Sequence, residues 1–135
     1  MLIGYGMTES CGMCAILPPE LLRYNTVGLP VPSIEVKLLD VPEAGYLSTN
    51  SPPQGEVLIR GPSVIKGYYK RDDLNNDPTI FTKDGWLRTG DVGQWNPDGT
   101  LTLIDRYVFG IHFTLKHDTA IAHTRLRPYT VLRTW

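Results

Sequence analysis

Two short runs of this chain carry side chains suited to an anionic, hydroxyl-rich ligand. Gly4-Tyr5-Gly6-Met7-Thr8-Glu9 sets an aromatic ring between two glycines and follows it with a hydroxyl and a carboxylate. Glycine has no Cβ, so its backbone can approach a ligand closely or take a positive φ, and Tyr5 offers a flat face to a purine. The Thr8 hydroxyl can bond a phosphate oxygen, and Glu9 is a hard oxygen ligand of the kind that holds Mg2+ together with phosphates. The same pattern also fits a plain glycine-bracketed corner between strand and loop. The second run is Asp84-Gly85-Trp86-Leu87-Arg88-Thr89-Gly90-Asp91-Val92-Gly93, followed by Leu101-Thr102-Leu103-Ile104-Asp105-Arg106. Asp91, in a Gly-bracketed turn, could accept both hydroxyls of a ribose, and Arg106 presents a planar donor fork for a ribose or phosphate oxygen. Read singly, Asp91 is equally a turn-capping aspartate and Arg106 a surface partner of Asp105.

The elements that must carry these residues are strands. Ile34-Glu35-Val36-Lys37-Leu38 alternates apolar with charged, which predicts a half-buried strand. Gly55-Glu56-Val57-Leu58-Ile59-Arg60 reads as a second strand, closed by Gly61-Pro62, and residues 40–54 between the two read as a Pro/Gly/Ser/Asn-rich surface loop. Residues 67–70 form a turn and residues 71–78 a polar connection able to be helical. Residues 84–88, 92–95 and 101–104 supply three further strands, the last two joined by Asn96-Pro97-Asp98-Gly99, a turn with Pro at its second position. The expected fold is a β-rich α+β unit, a small twisted β-barrel or sandwich.

With 135 residues and 41% hydrophobic content the chain can bury one modest core. A net charge of -1 gives no bulk electrostatic reason to bind nucleic acid. Cys11 and Cys14 are too close for a secreted disulfide framework and lack the second pair of a zinc site, so they are expected to be reduced thiols in a cytosolic setting. No run approaches the roughly 18 apolar residues that cross a bilayer, and the start lacks the basic segment of a signal peptide, so a soluble chain is expected. Charge and turn chemistry change at Arg106: 13 of the 14 acidic residues, 12 of the 13 glycines and 10 of the 11 prolines lie before it, and all three histidines after it. Residues 107–135 show neither a period of 2 nor one of 3.6.

Taken in order, these pieces resemble the adenylate-forming superfamily. Gly4 to Glu9 resembles its adenine-binding motif, Thr89-Gly90-Asp91 its ribose-binding motif, and residues 84–106 the signature of fatty acyl-CoA synthetases. Gly12-Met13-Cys14-Ala15, Val27-Gly28-Leu29-Pro30-Val31-Pro32, Gly61-Pro62-Ser63-Val64-Ile65-Lys66-Gly67-Tyr68-Tyr69 and Asp40-Val41-Pro42-Glu43-Ala44-Gly45-Tyr46 are similar to the AMP-forming long-chain fatty acid CoA ligases, especially fungal ones. The resemblance covers about residues 2–106, which it identifies as the C-terminal part of an AMP-binding domain, a twisted β-barrel subdomain with a piece of the adjoining α/β region. It implies a two-step reaction in which a fatty acid carboxylate attacks the α-phosphate of ATP and coenzyme A then displaces AMP. By motif, Gly4, Tyr5, Gly6, Met7 and Thr8 would line the adenine and α-phosphate, with Tyr5 stacked on the base. Glu9 would help hold Mg2+, Asp91 the ribose hydroxyls, and Arg106 ribose or phosphate. It also implies a parent on the cytosolic face of the endoplasmic reticulum, lipid droplet or peroxisome membrane. Luciferase-like and aryl-CoA ligases share these motifs, and a non-catalytic β-rich interaction module derived from such an enzyme is the alternative from another class.

The family's Ser/Thr/Gly-rich phosphate loop is not in this sequence, and the hinge position two residues past Arg106 is Val108, where the long-chain branch has a Lys-rich hinge leading to a domain with the catalytic lysine. The chain alone is therefore expected to be inactive. Because Arg106-Tyr107-Val108 can be encoded across a common fungal splice-donor sequence, residues 107–135 are expected to be aberrant and unstructured. Histidines at 112, 117 and 123 lack the i, i+4 repeat of paired helix ligands and are expected to hold no metal. Limited proteolysis should accordingly cut at Lys116, Arg125 and Arg127 well before any site in the 84–106 signature. Equal resistance of the two regions would show that the tail belongs to a fold.

Overall fold

The computed structural model of the chain describes residues 3–21, 23–108 and 111–113. Among them lie two antiparallel sheets. The first holds β1 (Gly4–Met7), β2 (Gly12–Ile16) and β3 (Leu29–Pro30) in that order. The second is a meander of β4 (Glu35–Leu39), β5 (Gln54–Arg60), β6 (Leu87–Trp95), β7 (Leu101–Val108) and β8 (Ile111–Phe113). The described α-helix is a single turn, α1 (Asp72–Asn75), in the polar connection where helix was allowed for.

β5 is an interior strand of the larger sheet, between β4 and β6. Its apolar run Val57-Leu58-Ile59 is buried on both faces, as expected of a strand covered on two sides rather than one. Val57 and Ile59 join Leu87 and Leu101 of the same sheet, Ile34, and Tyr5, Cys14 and Ala15 of the smaller sheet in one core cluster. Each fully buried aliphatic side chain there is worth about 1.5–3 kcal/mol of transfer free energy. The sheets are also tied through the backbone, because Leu101 exchanges bonds with the chain before β3: Val27 N–H to the Leu101 carbonyl at 2.8 Å, and Leu101 N–H to the Gly28 carbonyl at 2.8 Å. The Thr26 hydroxyl adds a bond to the same Leu101 carbonyl at 2.7 Å.

On the other side of the sheet, two cations lie over Trp86, with Lys37 Nζ 4.3 Å and the Arg60 guanidinium carbon 4.5 Å from its ring centroid. Their outer ends meet acids, Lys37 with Asp84 at 3.1 Å and Arg60 with Glu35 at 2.6 Å. The alternation of charge along β4 thus serves a stack over Trp86 rather than plain solvent exposure. The Asn96–Gly99 turn forms as expected, with Gly99 N–H bonded to the Asn96 carbonyl at 2.9 Å and Gly99 at φ +81°.

One expectation needs correction. Residues 84–88 and 92–95 are not separate strands: β6 runs unbroken through Thr89-Gly90-Asp91. Past Arg106, β7 continues to Val108, and β8 pairs along it with Arg106 opposite Phe113, Tyr107 opposite His112 and Val108 opposite Ile111. The free edge of β7 offers unpaired backbone donors and acceptors, and any extended segment that follows through a tight turn can satisfy them without an amphipathic period. Residues 114–135, including Lys116, His117 and His123, lie outside the described residues.

Leu101 contributes both its buried side chain and the backbone tie between sheets, so its truncation tests the core. Leu101→Ala should cost about 2–5 kcal/mol in urea denaturation, whereas Leu39→Ala, at an exposed position, should stay within about 0.5 kcal/mol.

Candidate functional site

The run Thr89-Gly90-Asp91 is a bulge in β6. Glu56 pairs with Val92 and Leu58 with Arg88, so one residue of β5 faces three of β6. Gly90, at φ +73°, supplies the left-handed conformation that lets the strand leave and rejoin the ladder. Side chains take over the hydrogen bonds that the ladder gives up. The Thr89 hydroxyl donates to the Val57 carbonyl at 2.8 Å and accepts the Asp91 N–H at 3.1 Å. Glu56, only 2% exposed, accepts the Gly90 N–H on Oε1 at 3.3 Å. Its Oε2 takes Arg88 Nε at 3.0 Å and Arg88 Nη2 as well. Neither Glu56 nor Arg88 was singled out from the sequence. The one available signal was a carboxylate beside an apolar strand run, which burial would oblige to find a cation.

The bulge delivers Asp91 to a point where three separated segments meet. Asp91 is 6% exposed, and its Oδ2 accepts the Tyr5 hydroxyl at 2.8 Å. Arg106 is its cross-strand partner in β7, with Nε 3.9 Å from Asp91 Oδ1, close enough for attraction but longer than a hydrogen bond. Asp91 sits inside a strand rather than capping a turn, and the Asp105 carboxylate accepts the Arg106 backbone N–H at 2.7 Å. Burial pushes the Asp91 carboxyl above its ordinary value. The Tyr5 hydrogen bond and the Arg106 charge pull it down, and Glu56 pushes it up. Burial, then the Asp91 charge, likewise pushes the Tyr5 phenol well above its ordinary value.

Tyr5 is 5% exposed and belongs to the core cluster, so a purine reaches its ring only if local packing opens. The close approach that Gly6 permits is within its own hairpin, where an added Cβ would lie 2.2 Å from the Gly12 carbonyl. Gly4 and Met7 are half-buried at the two ends of β1, and Thr8 is exposed at the start of the 3-10 turn Thr8–Ser10. That turn is held by Ser10, whose Oγ accepts the Met7 N–H at 3.1 Å and lies 2.6 Å from the Gly12 carbonyl. Glu9, 9% exposed, accepts the Tyr68 hydroxyl at 2.7 Å, and its carbonyl accepts the Ile65 N–H at 2.8 Å. The sequence placed Tyr68 only in a connecting segment, with no role at this site. Among the described residues no group of three or more His, Cys, Asp or Glu could hold a metal ion. A single carboxylate such as Glu9 fits Mg2+ when phosphate oxygens and water complete the octahedron.

The sequence and this geometry both match known proteins. Residues 1–69 match the family model described as AMP-binding enzyme. The chain belongs to the AMP-binding enzyme family. It is 53% identical over 108 residues to long-chain-fatty-acid–CoA ligase 2 of Schizosaccharomyces pombe and 51% identical over 107 residues to long chain acyl-CoA synthetase 3 of Arabidopsis thaliana. Each match takes in 78% of this chain, which spans 15% and 16% of those relatives' lengths. Among solved structures, O-succinylbenzoate coenzyme A synthetase from Bacillus subtilis, in complex with ATP and magnesium ion, superposes with a TM-score of 0.63 at 33% identity, over 78% of this chain and 21% of that one. The adenylation domain of a carboxylic acid reductase from Segniliparus rugosus, in complex with AMP, gives 0.62 at 36% identity over 78% of this chain and 15% of that one. The β-rich architecture is that of the adenylate-forming enzymes.

The raised Asp91 pKa has a sign that can be measured. Asp91 holds its proton more tightly folded than unfolded, so its stabilising contribution is complete below the unfolded value of 3.8 and is lost as pH rises through the folded one. Asp91→Asn stays uncharged and still accepts the Tyr5 hydroxyl. In paired denaturation series from about pH 3.5 to about pH 7.5, the stability of the Asn variant relative to wild type should therefore climb with pH. A flat difference would show that burial does not destabilise the ionised carboxylate.

Proposed function

We propose that this chain is the nucleotide-facing part of an AMP-forming long-chain fatty acid CoA ligase, the enzyme that converts ATP, a fatty acid and coenzyme A to acyl-CoA, AMP and pyrophosphate through an acyl-adenylate. The observation that carries the reading is the convergence of Tyr5, Asp91 and Arg106, from segments 86 residues and one strand apart, on one buried carboxylate. A carboxylate held by a neutral hydroxyl is in the state that binds a ribose diol. The phenol O–H at 2.8 Å does what a ribose hydroxyl would do, and a nucleotide takes its place.

In this reading Asp91 accepts the ribose hydroxyls and Arg106 donates to a ribose or phosphate oxygen. The Thr8 hydroxyl, exposed at the end of β1, bonds the α-phosphate or the acyl carboxylate, while Gly4, Gly6 and Met7 shape the adenine edge and Tyr5 supplies its face once released from Asp91. Glu9 would help hold Mg2+, whose charge would offset that of the phosphates. Positioning and electrostatic stabilisation account for most of the catalysis in such a transfer, and none of these side chains is a covalent nucleophile. The two relatives named as long-chain enzymes support a fatty acid as the acyl substrate over an aromatic one. Because neither the phosphate loop nor the catalytic lysine of the family is in the sequence, residues 1–135 supply binding contacts and not turnover.

Two measurements test this. Purified chain incubated with ATP, Mg2+, a long-chain fatty acid and coenzyme A should form no acyl-AMP or acyl-CoA above a protein-free control; turnover abolished by Asp91→Ala would overturn the division of labour. In a full-length ligase carrying this sequence, Asp91→Ala should weaken ATP use by about 1.5–3 kcal/mol, the range for hydrogen bonds to a charged group. An unchanged ATP dependence removes Asp91 from the ribose role.

A further inference from the structure

The segment between β4 and β5 lies outside every motif of the nucleotide site, yet it reaches that site. Residues 40–54 close on themselves. Val41 and Tyr46 exchange backbone bonds at 2.7 and 3.2 Å around the 3-10 turn Pro42–Ala44, and the Val41 side chain is buried. Asp40 Oδ1 takes the Ser48 N–H at 2.6 Å, and the Leu47 carbonyl receives the N–H groups of Asn50 and Gln54, each at 3.0 Å. A loop with so many of its own bonds is a small scaffold rather than a tether.

That scaffold delivers Tyr46 to β7, three strands from β4, where its hydroxyl donates to Asp105 Oδ2 at 2.8 Å. Burial, then the Asp105 hydrogen bond and charge, push the Tyr46 phenol up to about 12, so it remains a donor at neutral pH. Asp105 is 5% exposed, and its second oxygen accepts the Arg106 N–H at 2.7 Å. The ladder is irregular at this point: Val92 pairs with Asp105 and Gly93 with Leu103, which leaves Ile104 without an opposite residue. Strand pairing therefore fixes the approach to Arg106 less tightly than it fixes a regular ladder, and a side-chain bond from outside the β6–β7 pair supplies what is missing.

We infer that Tyr46 is a positioning residue for Arg106: the loop holds Asp105, Asp105 holds the Arg106 amide, and the guanidinium is thereby kept opposite Asp91. The effect on ligand binding rests on the nucleotide reading of the site, whereas the brace itself does not. Tyr46→Phe removes only the hydroxyl, and Asp105→Asn leaves one oxygen where two are used.

The test is backbone amide hydrogen exchange on the full 135-residue chain, as wild type, Tyr46→Phe, Asp105→Asn and the double variant, with an AMP titration of the same samples. Exchange at the Arg106 amide should speed up about tenfold in Tyr46→Phe, the factor that one hydrogen bond to a charged group is worth. The Val31 amide, bonded to the Cys14 carbonyl in the other sheet, should keep its rate. The two substitutions should be non-additive because they break one chain of contacts. AMP affinity should fall about threefold to tenfold, a smaller share of the same bond. Faster exchange confined to residues 40–54, with Arg106 unchanged, would reduce Tyr46 to a staple of its own loop and overturn the inference. So would uniform acceleration that includes Val31. Faster exchange at Arg106 in a chain that binds no AMP even as wild type would uphold the brace and sink the nucleotide reading instead.

Discussion

The site depends on a buried carboxylate that takes the place of a strand. Where β6 swells to three residues against one of β5, the backbone of Gly90 loses its ladder partner, and Glu56 accepts its N–H while pairing with Arg88. An unpaired carboxylate at 2% exposure would be prohibitively costly, and an unbonded Gly90 amide would cost about 1–3 kcal/mol. Each group is tolerable only in the presence of the others. The result is a bulge of defined shape, and its shape is what turns Asp91 toward β7 and Tyr5.

Asp91 and Tyr5 also show how closely binding and packing are joined in this chain. Tyr5 is a core residue of the cluster that unites the two sheets, and the same side chain satisfies Asp91. A ligand that engages Asp91 must therefore compete with an internal hydrogen bond, and a ligand that uses the Tyr5 ring must open the edge of the core. Burial raises the Asp91 pKa against the pull of Tyr5 and Arg106, which marks the carboxylate as one held at a cost in stability.

Around this centre the rest of the sheet acts as a frame. The contacts of Lys37 and Arg60 with the Trp86 ring tie the start of β6 to β4 and β5, and the loop of residues 40–54 reaches β7 through Tyr46. The two ends of the signature segment are thus fixed by residues that precede it in the chain. Among the described residues no helix is long and apolar enough to cross a membrane.

The sequence by itself determined the strands with clear local signals and the family. Alternation marked β4, the apolar run marked β5, and Asn96-Pro97-Asp98-Gly99 marked the turn into β7, because each is a matter of side-chain period or local backbone preference. The glycine, tyrosine, aspartate and arginine of the two motifs could be named as a set for the same reason: residue type and order survive in one dimension. What it could not show was which atoms these residues meet. The continuity of β6 through Gly90, the partnership of Glu56 with Arg88, the placement of Tyr68 on Glu9 and of Tyr46 on Asp105, and the burial of Tyr5 all join positions between 32 and 86 residues apart. Pairing at those separations is decided by sheet register and by the need of buried polar groups for partners, and neither is written in any local window. The return of β8 onto β7 has the same origin, since an open strand edge recruits backbone, whose hydrogen-bonding groups are the same in every residue but proline.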